Sequence, residues 1–236
     1  LWQRLQQEAR CEITCPAQLQ SMTRKDDQWV LTLETGQCLS APLVIGADGA
    51  NSRVRHWAGI GVNGWQYRQS CMLITVDTQA EQQDSTWQHF TPQGPRAFLP
   101  LFDHWASLAW YDSPRRIRQL QSLSMPQLEK EIAATFPARL GAVTAIAAAS
   151  FPLVRRHAHR YVSDGVVLVG DAAHTINPLA GTGINLGYRD VDALIDVLIR
   201  ARDSGECWYS SPVLQRYQHR RKPDNLLMQH GMDLFY

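Results

Sequence analysis

The distribution of apolar and polar residues predicts many short strands, with long helices concentrated toward the end of the chain. Short apolar or alternating runs between turn residues are typical of strands. Such runs occupy residues 17–22, 29–33, 37–39, 43–46, 72–76, 85–90, 96–101, 105–110 and 143–151. Apolar residues spaced by three and four are typical of helices. That spacing occurs over residues 125–136, 183–202 and 208–228, and Pro223 is expected to kink or divide the last helix.

The stretch 166–187 is the most informative part of this pattern. Residues 166–169 are aliphatic and predict a buried strand, after which Gly170 and Asp171 open a loop. A helix then begins near Gly183, and its free N–H groups and positive dipole end favour an electron-rich ligand. Asp171 repels phosphate but can accept hydrogen bonds from hydroxyl groups. The stretch therefore predicts a site for a polyhydroxylated cofactor, with a purely structural strand-loop-helix as the alternative.

A second strand and turn lie much earlier in the chain. Residues 43–46 predict a short buried strand, and Asp48-Gly49 predicts a tight turn at its end. Ser52 is suited to cap the helix that follows. The planar guanidinium of Arg55 suits a phosphate group, while a solvated arginine on an exposed basic face is the alternative.

Both stretches carry motifs of a known family. The later stretch reads Gly170-Asp171-Ala172-Ala173-His174, then Pro178, then Gly181-x-Gly183-x-Asn185. The earlier stretch reads Gly46-Ala47-Asp48-Gly49-Ala50-Asn51-Ser52-x-x-Arg55. Together they resemble the FAD-binding motifs of the class A aromatic-ring flavin monooxygenases, the para-hydroxybenzoate hydroxylase type. Residues 97–112, 178–192 and 231–236 are similar to the ubiquinone-biosynthesis hydroxylases of that family, which include the polyprenyl methoxy-methyl-benzoquinol hydroxylases. Thr182 departs from the family pattern, which usually has Gln there.

The resemblance implies an enzyme that uses FAD, NAD(P)H and O2 to hydroxylate a polyprenyl benzoquinol or phenol ring, through a flavin hydroperoxide, in ubiquinone biosynthesis. It implies cofactor contacts at Asp48, Gly49, Arg55, Gly170, Asp171, Pro178, Gly181, Gly183, Ile184 and Asn185. Arg55 is expected near the path of the nicotinamide donor, and the N–H groups of residues 183–185 near the reduced ring. Because the substrate ring is already activated, no catalytic base is required, and His174 is only a weak catalytic candidate.

The expected fold class is mixed α+β and α/β, with an FAD-binding domain and an antiparallel-sheet substrate domain. Residues 1–64 are assigned to a partial FAD-binding domain, 65–160 to the substrate-binding sheet and 161–236 to the return into the FAD-binding domain. The resemblance implies a preceding βαβ unit with a G-x-G-x-x-G loop. The formal match at residues 59–64 neither follows a buried strand nor opens a helix. We therefore expect a fragment without that unit, inactive by itself and weak in flavin binding.

Aromatic residues are concentrated in the predicted substrate-binding sheet, at Trp65, Trp87, Trp105, Trp110 and Tyr111. Most of them are expected to be sheet core. One face of the sheet is expected to form the apolar wall that a quinol with a polyprenyl tail requires. The basic stretch that follows, residues 153–161, is interpreted as a solvated connection.

Composition narrows the class of protein and its expected location. A net charge of +1 gives no electrostatic support for binding to nucleic acid or to a strongly anionic membrane surface. The five cysteines lack CxxC spacing and indicate reduced thiols, and no apolar run reaches transmembrane length. We therefore expect a cytoplasmic protein with at most peripheral contact with the inner membrane, and other ubiquinone-biosynthesis enzymes are candidate partners.

Three alternative functions follow from the same residues. The first is another FAD oxidoreductase of this fold, such as a reductase or a halogenase, although the W-x-W-x-I signature of halogenases is absent. The second is a non-catalytic scaffold subunit of a biosynthetic complex. The third, a metal-dependent hydrolase using Asp171 and His174, is disfavoured, because two ligands three residues apart do not make a metal site. No metal site is expected.

Overall fold

The computed structural model describes residues 1–79, 84–176, 181 and 183–234, and the chain forms two compact units. The first unit combines Leu1–Gly64 with Arg156–Tyr236, and the second unit is Trp65–Arg155. Both units mix helices with strands, as expected for this fold class. Residues 156–160, assigned from the sequence to the sheet domain, lie in the first unit because Arg156 and His157 pair with a strand of that unit.

The first unit begins with a short helix and an antiparallel three-stranded sheet. These elements are α1 (Trp2–Gln6), β1 (Leu19–Lys25), β2 (Gln28–Leu33) and β3 (Cys38–Ala41), with β2 in the centre. Alternation along β1 and β2 directs Met22, Trp29 and Leu33 into the interior. Asp26 and Asp27 both have positive φ and form the two-residue turn between the strands, which suits the twist of a hairpin. The three strands predicted over residues 17–39 are therefore present.

The next two elements are β4 (Val44–Gly46) and the single-turn helix α2 (Arg53–Trp57). Ser52 caps α2, since its hydroxyl accepts a hydrogen bond from the backbone N–H of Arg55 at 2.9 Å. Val54 is buried and Trp57 is half-buried against the core of the first unit. The strand, the turn and the capped helix all lie where the sequence predicts them.

The second unit is an antiparallel sheet with two helices packed on one of its faces. Its elements are β5 (Val62–Thr78), β6 (Trp87–His89), β7 (Arg96–Pro100), β8 (Trp105–Asp112), α3 (Pro114–Gln121), α4 (Met125–Thr135) and β9 (Val143–Ala158). The strand order is β9-β5-β8-β7-β6, and β5 begins and β9 ends in the first unit. Ile74 and Leu108 from the sheet pack with Ile117 of α3 and Ile132 of α4. Helix α3 was not predicted from the sequence, because it has few apolar residues among its arginines.

The aromatic residues of this sheet are divided between its core and its surface. Trp110 and Tyr111 are buried, and Trp87 is half-buried and stacks on Phe98 with ring centroids 5.4 Å apart. Trp65 and Trp105 are exposed. The expectation that most of these rings are sheet core is therefore only partly met.

The chain then completes the first unit with three short strands and two long helices. These are β10 (Val162–Ser163), β11 (Val166–Leu168), β12 (His174–Thr175), α5 (Gly183–Asp203) and α6 (Ser211–Leu234). The second sheet of this unit has the order β10-β11-β4, and β11 runs parallel to β4. Both helices contribute to one hydrophobic core with β11, including Leu194 and Val197 of α5 and Leu214 and Tyr217 of α6.

One interpretation of the later chain is wrong, and one of the two effects expected of Pro223 does not occur. Residues 153–161 are not a solvated connection, because β9 continues to Ala158 and alternate residues of a strand share one face. Arg155 and His157 are both buried on that face. Pro223 does not divide α6, which continues to Leu234. A proline removes only one backbone donor, and the buried side chains of Arg221 and Asn225 hold the helix on either side of it.

Candidate cofactor site

The turn after β4 is shaped by the carboxylate of Asp48. One oxygen of Asp48 accepts a hydrogen bond from the Ser52 hydroxyl at 2.5 Å. The other accepts from the backbone N–H groups of Arg53 at 2.7 Å and Val54 at 3.1 Å. These donors are the orphan N–H groups at the start of α2. Asp48, predicted to contact the cofactor, therefore uses both oxygens to fix the turn and the helix that follows it.

Arg55 connects this first turn to the second one. Its guanidinium, 8% exposed, donates to the backbone carbonyl of Ala172 at 2.8 Å and to that of Ala50 at 2.9 Å. Arg156 also donates to Ala50, at 3.0 Å. Burial and the neighbouring Arg156 lower the pKa of Arg55, and Asp48 opposes this shift. The structure thus gives Arg55 internal partners, where the sequence analysis placed it beside a nicotinamide donor or in solvent.

The second turn follows β11 and meets the first at the same edge of the sheet. Because β11 is parallel to β4, with Leu168 opposite Gly46, the carboxyl ends of the two strands lie side by side. Gly170 has φ +58°, a conformation that favours glycine. A Cβ atom on Gly187 of α5 would lie 3.5 Å from the Cα atom of Gly170, which is an ordinary van der Waals distance. The turn therefore packs directly against α5.

A cavity of about 240 Å³ lies where the two turns and α5 meet. It is lined by Ala47, Gly49, Val169, Gly170, Asp171, Ile184, Gly187, Tyr188 and Val191. Asp171 is the only acidic residue among the described residues that line the cavity. A whole small-molecule ligand usually occupies about 300–1,000 Å³, so the cavity fits part of a dinucleotide, with backbone on one wall and apolar side chains on the other.

The electrostatics of the cavity suit a neutral, hydroxyl-bearing group next to an electron-rich one. Desolvation raises the pKa of Asp171, although the residue as a whole is exposed, and His174 opposes that shift. When ionised, the carboxylate can only accept hydrogen bonds. The long helix α5 begins at Gly183, and its first N–H groups lack partners within the helix and carry partial positive charge.

The structure brings some predicted site residues to the cavity and places others elsewhere. Those in its wall are Gly49, Gly170, Asp171 and Ile184. Gly183 and Asn185 lie in the first turn of α5 and Gly181 lies in a bend, but none of the three lines the cavity. Pro178 and Thr182 lie outside the described residues. Gly187, Tyr188 and Val191 also line the cavity and were not predicted from the sequence. They follow Ile184 at helical spacing, and this spacing is the signal in the sequence that indicates them.

His174, the weak catalytic candidate, does not line the cavity. The residue is 2% exposed, and its Nε2 lies 2.5 Å from a carboxylate oxygen of Asp190, which is fully buried. Such an imidazole cannot reach a ligand in the cavity and acts as a structural hydrogen-bond partner. Asp190 was not predicted from the sequence as a site residue.

Neither a metal-binding cluster nor a membrane-spanning helix occurs among the described residues. They contain no group of three or more His, Cys, Asp or Glu side chains that could hold a metal ion. None of the helices described is long and apolar enough to cross a bilayer. All five cysteines are free thiols.

Solved structures share this fold. A mutant of PqsL from Pseudomonas aeruginosa matches with a TM-score of 0.81 at 24% sequence identity, over 98% of this chain and 65% of that chain. The p-nitrophenol 4-monooxygenase PnpA from Pseudomonas putida matches with a TM-score of 0.78 at 20% identity, over 98% of this chain and 59% of that chain. The fold is therefore that of the FAD-binding monooxygenases, as expected.

The chain belongs to the FAD binding domain family, whose profile matches residues 1–226. It is 64% identical over 236 residues to the 3-demethoxyubiquinol 3-hydroxylase of Escherichia coli, covering 100% of this chain and 60% of that protein. It is 36% identical over 217 residues to the ubiquinone hydroxylase UbiL of Rhodospirillum rubrum, covering 92% of this chain and 51% of that protein. The resemblance to ubiquinone-biosynthesis hydroxylases is thus confirmed. The chain spans between half and two thirds of the length of these relatives.

Proposed function

We propose that the natural protein carrying this chain is an FAD-dependent monooxygenase that hydroxylates the ring of a polyprenyl benzoquinol in ubiquinone biosynthesis. The observation that carries the proposal is the 64% identity, along the whole chain, to the demethoxyubiquinol hydroxylase of Escherichia coli. The cavity supports it, because both FAD motifs contribute to its wall. Since the chain spans 60% of that relative, the proposal concerns the natural protein and not these residues alone.

The residues of the cavity fit the sugar-like part of FAD. Asp171 is placed to accept hydrogen bonds from hydroxyl groups of a ribityl chain. Gly49 and Gly170 have no side chain, so a ligand can approach their backbone closely. The N–H groups at the start of α5 favour the electron-rich edge of a flavin ring. When bound, FAD supplies electron transfer from NAD(P)H and the activation of O2.

The apolar wall of the cavity has a different role, which is to exclude water. Ile184, Tyr188 and Val191 form a continuous apolar strip along α5 beside the turn that carries Asp171. Such a wall excludes water from a bound ring and strengthens polar contacts inside the site. The second unit, residues 65–155, is the proposed substrate domain. We propose that the protein is cytoplasmic, with at most peripheral contact with the inner membrane, and that its partners are a polyprenyl quinol and other ubiquinone-biosynthesis enzymes.

The visible absorption spectrum of the natural protein tests this proposal. A yellow protein is expected, whose flavin is bleached by NADPH under nitrogen. In air, a demethoxyubiquinol analogue should accelerate the oxidation of NADPH with matching consumption of O2 and formation of hydroxylated product. A colourless protein that added FAD does not turn yellow would contradict the proposal and favour the scaffold subunit. Flavin reduction without any hydroxylated product would favour a reductase of the same fold.

A matched pair of variants tests the contact assigned to Asp171. Asp171→Asn keeps the shape of the side chain but removes its charge and one acceptor. A hydrogen bond to a charged group contributes about 1.5–3 kcal/mol, so the Kd for FAD should rise about tenfold or more. Asp164→Asn is the control, since that side chain is 75% exposed in the turn between β10 and β11. Equal FAD affinity in both variants would remove Asp171 from the site.

A further inference from the structure

The turn that carries Asp171 is fastened at both of its ends to one oxygen atom. That atom is Oδ2 of Asp190, a residue of α5 with 0% exposure. It accepts a hydrogen bond from the backbone N–H of Gly170 at 3.0 Å and lies 2.5 Å from Nε2 of His174. Gly170 directly precedes Asp171, and His174 follows three residues later. A single carboxylate oxygen therefore fixes both ends of the segment.

The other oxygen of Asp190 is bound from α6. Oδ1 accepts from Nε of Arg221 at 2.8 Å and from Nδ2 of Asn225 at 3.1 Å. A carboxylate offers about four lone-pair positions, and these four donors occupy them. Although burial alone would raise the pKa of Asp190, the hydrogen bonds from these partners and from His174 lower it. The carboxylate is thus ionised, paired with a buried cation and saturated.

Packing does not explain why a charged residue stands here. A buried ion pair is often no more stable than well-packed apolar residues of the same volume, and the neighbours of Asp190 along α5 on this face are apolar, among them Leu186 and Ala193. The carboxylate adds hydrogen bonds, whose directions and lengths are fixed. It sets the distance between α5, which forms one wall of the cavity, and the turn that forms the other.

We propose that Asp190 is a positioning residue for the flavin cofactor, holding the turn from Gly170 to His174 so that Asp171 faces the cavity. This inference rests on the proposed function, because it assigns FAD to that cavity. Asp190 does not line the cavity and acts through Asp171. The link to α6 through Arg221 keeps its carboxylate in place and balances its charge.

The test compares Asp190→Asn with Asp192→Asn in the natural protein. Asparagine is the same size, but its amide group turns a donor toward either Gly170 and His174 or Arg221 and Asn225, so one pair of contacts is lost. Asp192 lies on the exposed side of the same helix, and its variant changes the charge by the same amount. The Kd for FAD is measured by quenching of flavin fluorescence on the apoprotein at 10 °C, where circular dichroism confirms that each variant is folded.

A positioning role predicts a rise of about tenfold or more in the Kd for FAD of Asp190→Asn, comparable to the loss of metal affinity when groups that orient metal ligands are removed. No change is expected for Asp192→Asn. A lower Tm with an unchanged Kd would show a purely structural role and overturn the inference. The wild-type titration separates the two proposals, because a wild-type protein that binds no FAD refutes the proposed function itself.

A second pair of variants covers the case in which Asp190→Asn does not fold. His174→Gln retains an N–H donor directed at Asp190, whereas His174→Leu removes it. The inference predicts that glutamine keeps the FAD affinity close to that of the wild type and that leucine weakens it. Equal affinities in these two variants would overturn the inference.

Discussion

Replacing Arg55 by methionine is expected to destabilise the protein by loosening the contact between the turn after β4 and the turn after β11. The guanidinium is buried and donates to the backbone carbonyls of Ala172 and Ala50, at 2.8 and 2.9 Å. Methionine can follow the same path but donates no hydrogen bond. The carbonyl of Ala172 then loses this donor, whereas that of Ala50 keeps the one from Arg156 at 3.0 Å.

The expected change in the free energy of unfolding is the sum of opposing contributions. Each hydrogen bond from a charged donor contributes about 1.5–3 kcal/mol, so two such bonds give about 3–6 kcal/mol. Removing the buried charge offsets part of this loss of hydrogen-bond energy, because burial and the nearby Arg156 both disfavour the charged form of Arg55 and lower its pKa. Ala50 also keeps a donor. We therefore expect a net loss of about 2 kcal/mol in the free energy of unfolding.

Urea unfolding at pH 7, followed by circular dichroism, measures this loss. Arg53→Met is the matched control, because Arg53 lies in the same helix, is exposed, and donates one hydrogen bond to the carbonyl of Leu19 at 2.9 Å. That surface change should stay within about 0.5 kcal/mol. Arg55→Lys should be intermediate, since a lysine keeps the charge without the planar fork. If Arg55→Met were as stable as Arg53→Met, Arg55 would not join the two turns.

Three further outcomes can be measured. Gly46→Ala should lower the free energy of unfolding in urea by about 1–3 kcal/mol, because its Cβ would lie 2.8 Å from Cδ2 of Leu168. The Cβ of Gly231→Ala would meet no described atom within 4 Å outside the backbone of its own helix, so this variant should instead raise that free energy by up to about 1 kcal/mol. Ellman's reagent should modify the four exposed thiols of the folded protein but not buried Cys71, whose pKa burial raises to about 12; five fast reactions would contradict this. The pKa of Asp190 is lowered by its hydrogen bonds against the effect of burial, so its contribution to stability is present above the unfolded pKa of about 3.9 and is lost as pH falls through the folded pKa. Thermal unfolding from pH 7 to pH 3 should show this loss in the wild type and less of it in Asp190→Asn.

Local signals in the sequence were sufficient to predict the strand and the helix that border the cavity. The aliphatic run before Gly170 predicts β11, and the spacing after Gly183 predicts α5 almost to its last residue. Each of these signals depends on neighbours a few residues apart, so it can be read from a short window.

Features that depend on distant partners could not be predicted in this way. The stretch 153–161 looks solvated because it is rich in basic residues, yet its side chains find partners far along the chain. His157 lies 2.7 Å from Oε1 of Gln229, and Arg155 lies over the ring of Trp65 at 4.3 Å. Arg55 likewise looks like a surface arginine in sequence, because its partner Ala172 is more than a hundred residues away. Burial in each case is a property of the fold and not of the local composition.

Helix α5 shows why a periodic pattern can predict an element and still leave its faces unassigned. The helix is apolar on two sides, and this happens when a helix serves both a core and a second surface. Leu186, Ala193 and Leu194 face the core, whereas Ile184 and Tyr188 are exposed on the side of the cavity. Apolar spacing alone cannot distinguish these sides. A charged residue does distinguish them. Asp190 falls four residues after Leu186 and four before Leu194, so it lies in the middle of the core side. A buried charge there is stable only if it is hydrogen-bonded and paired with an opposite charge. The carboxylate on the buried face, and not the aliphatic residues around it, is therefore the signal in the sequence that points to the turn beside the proposed cofactor site.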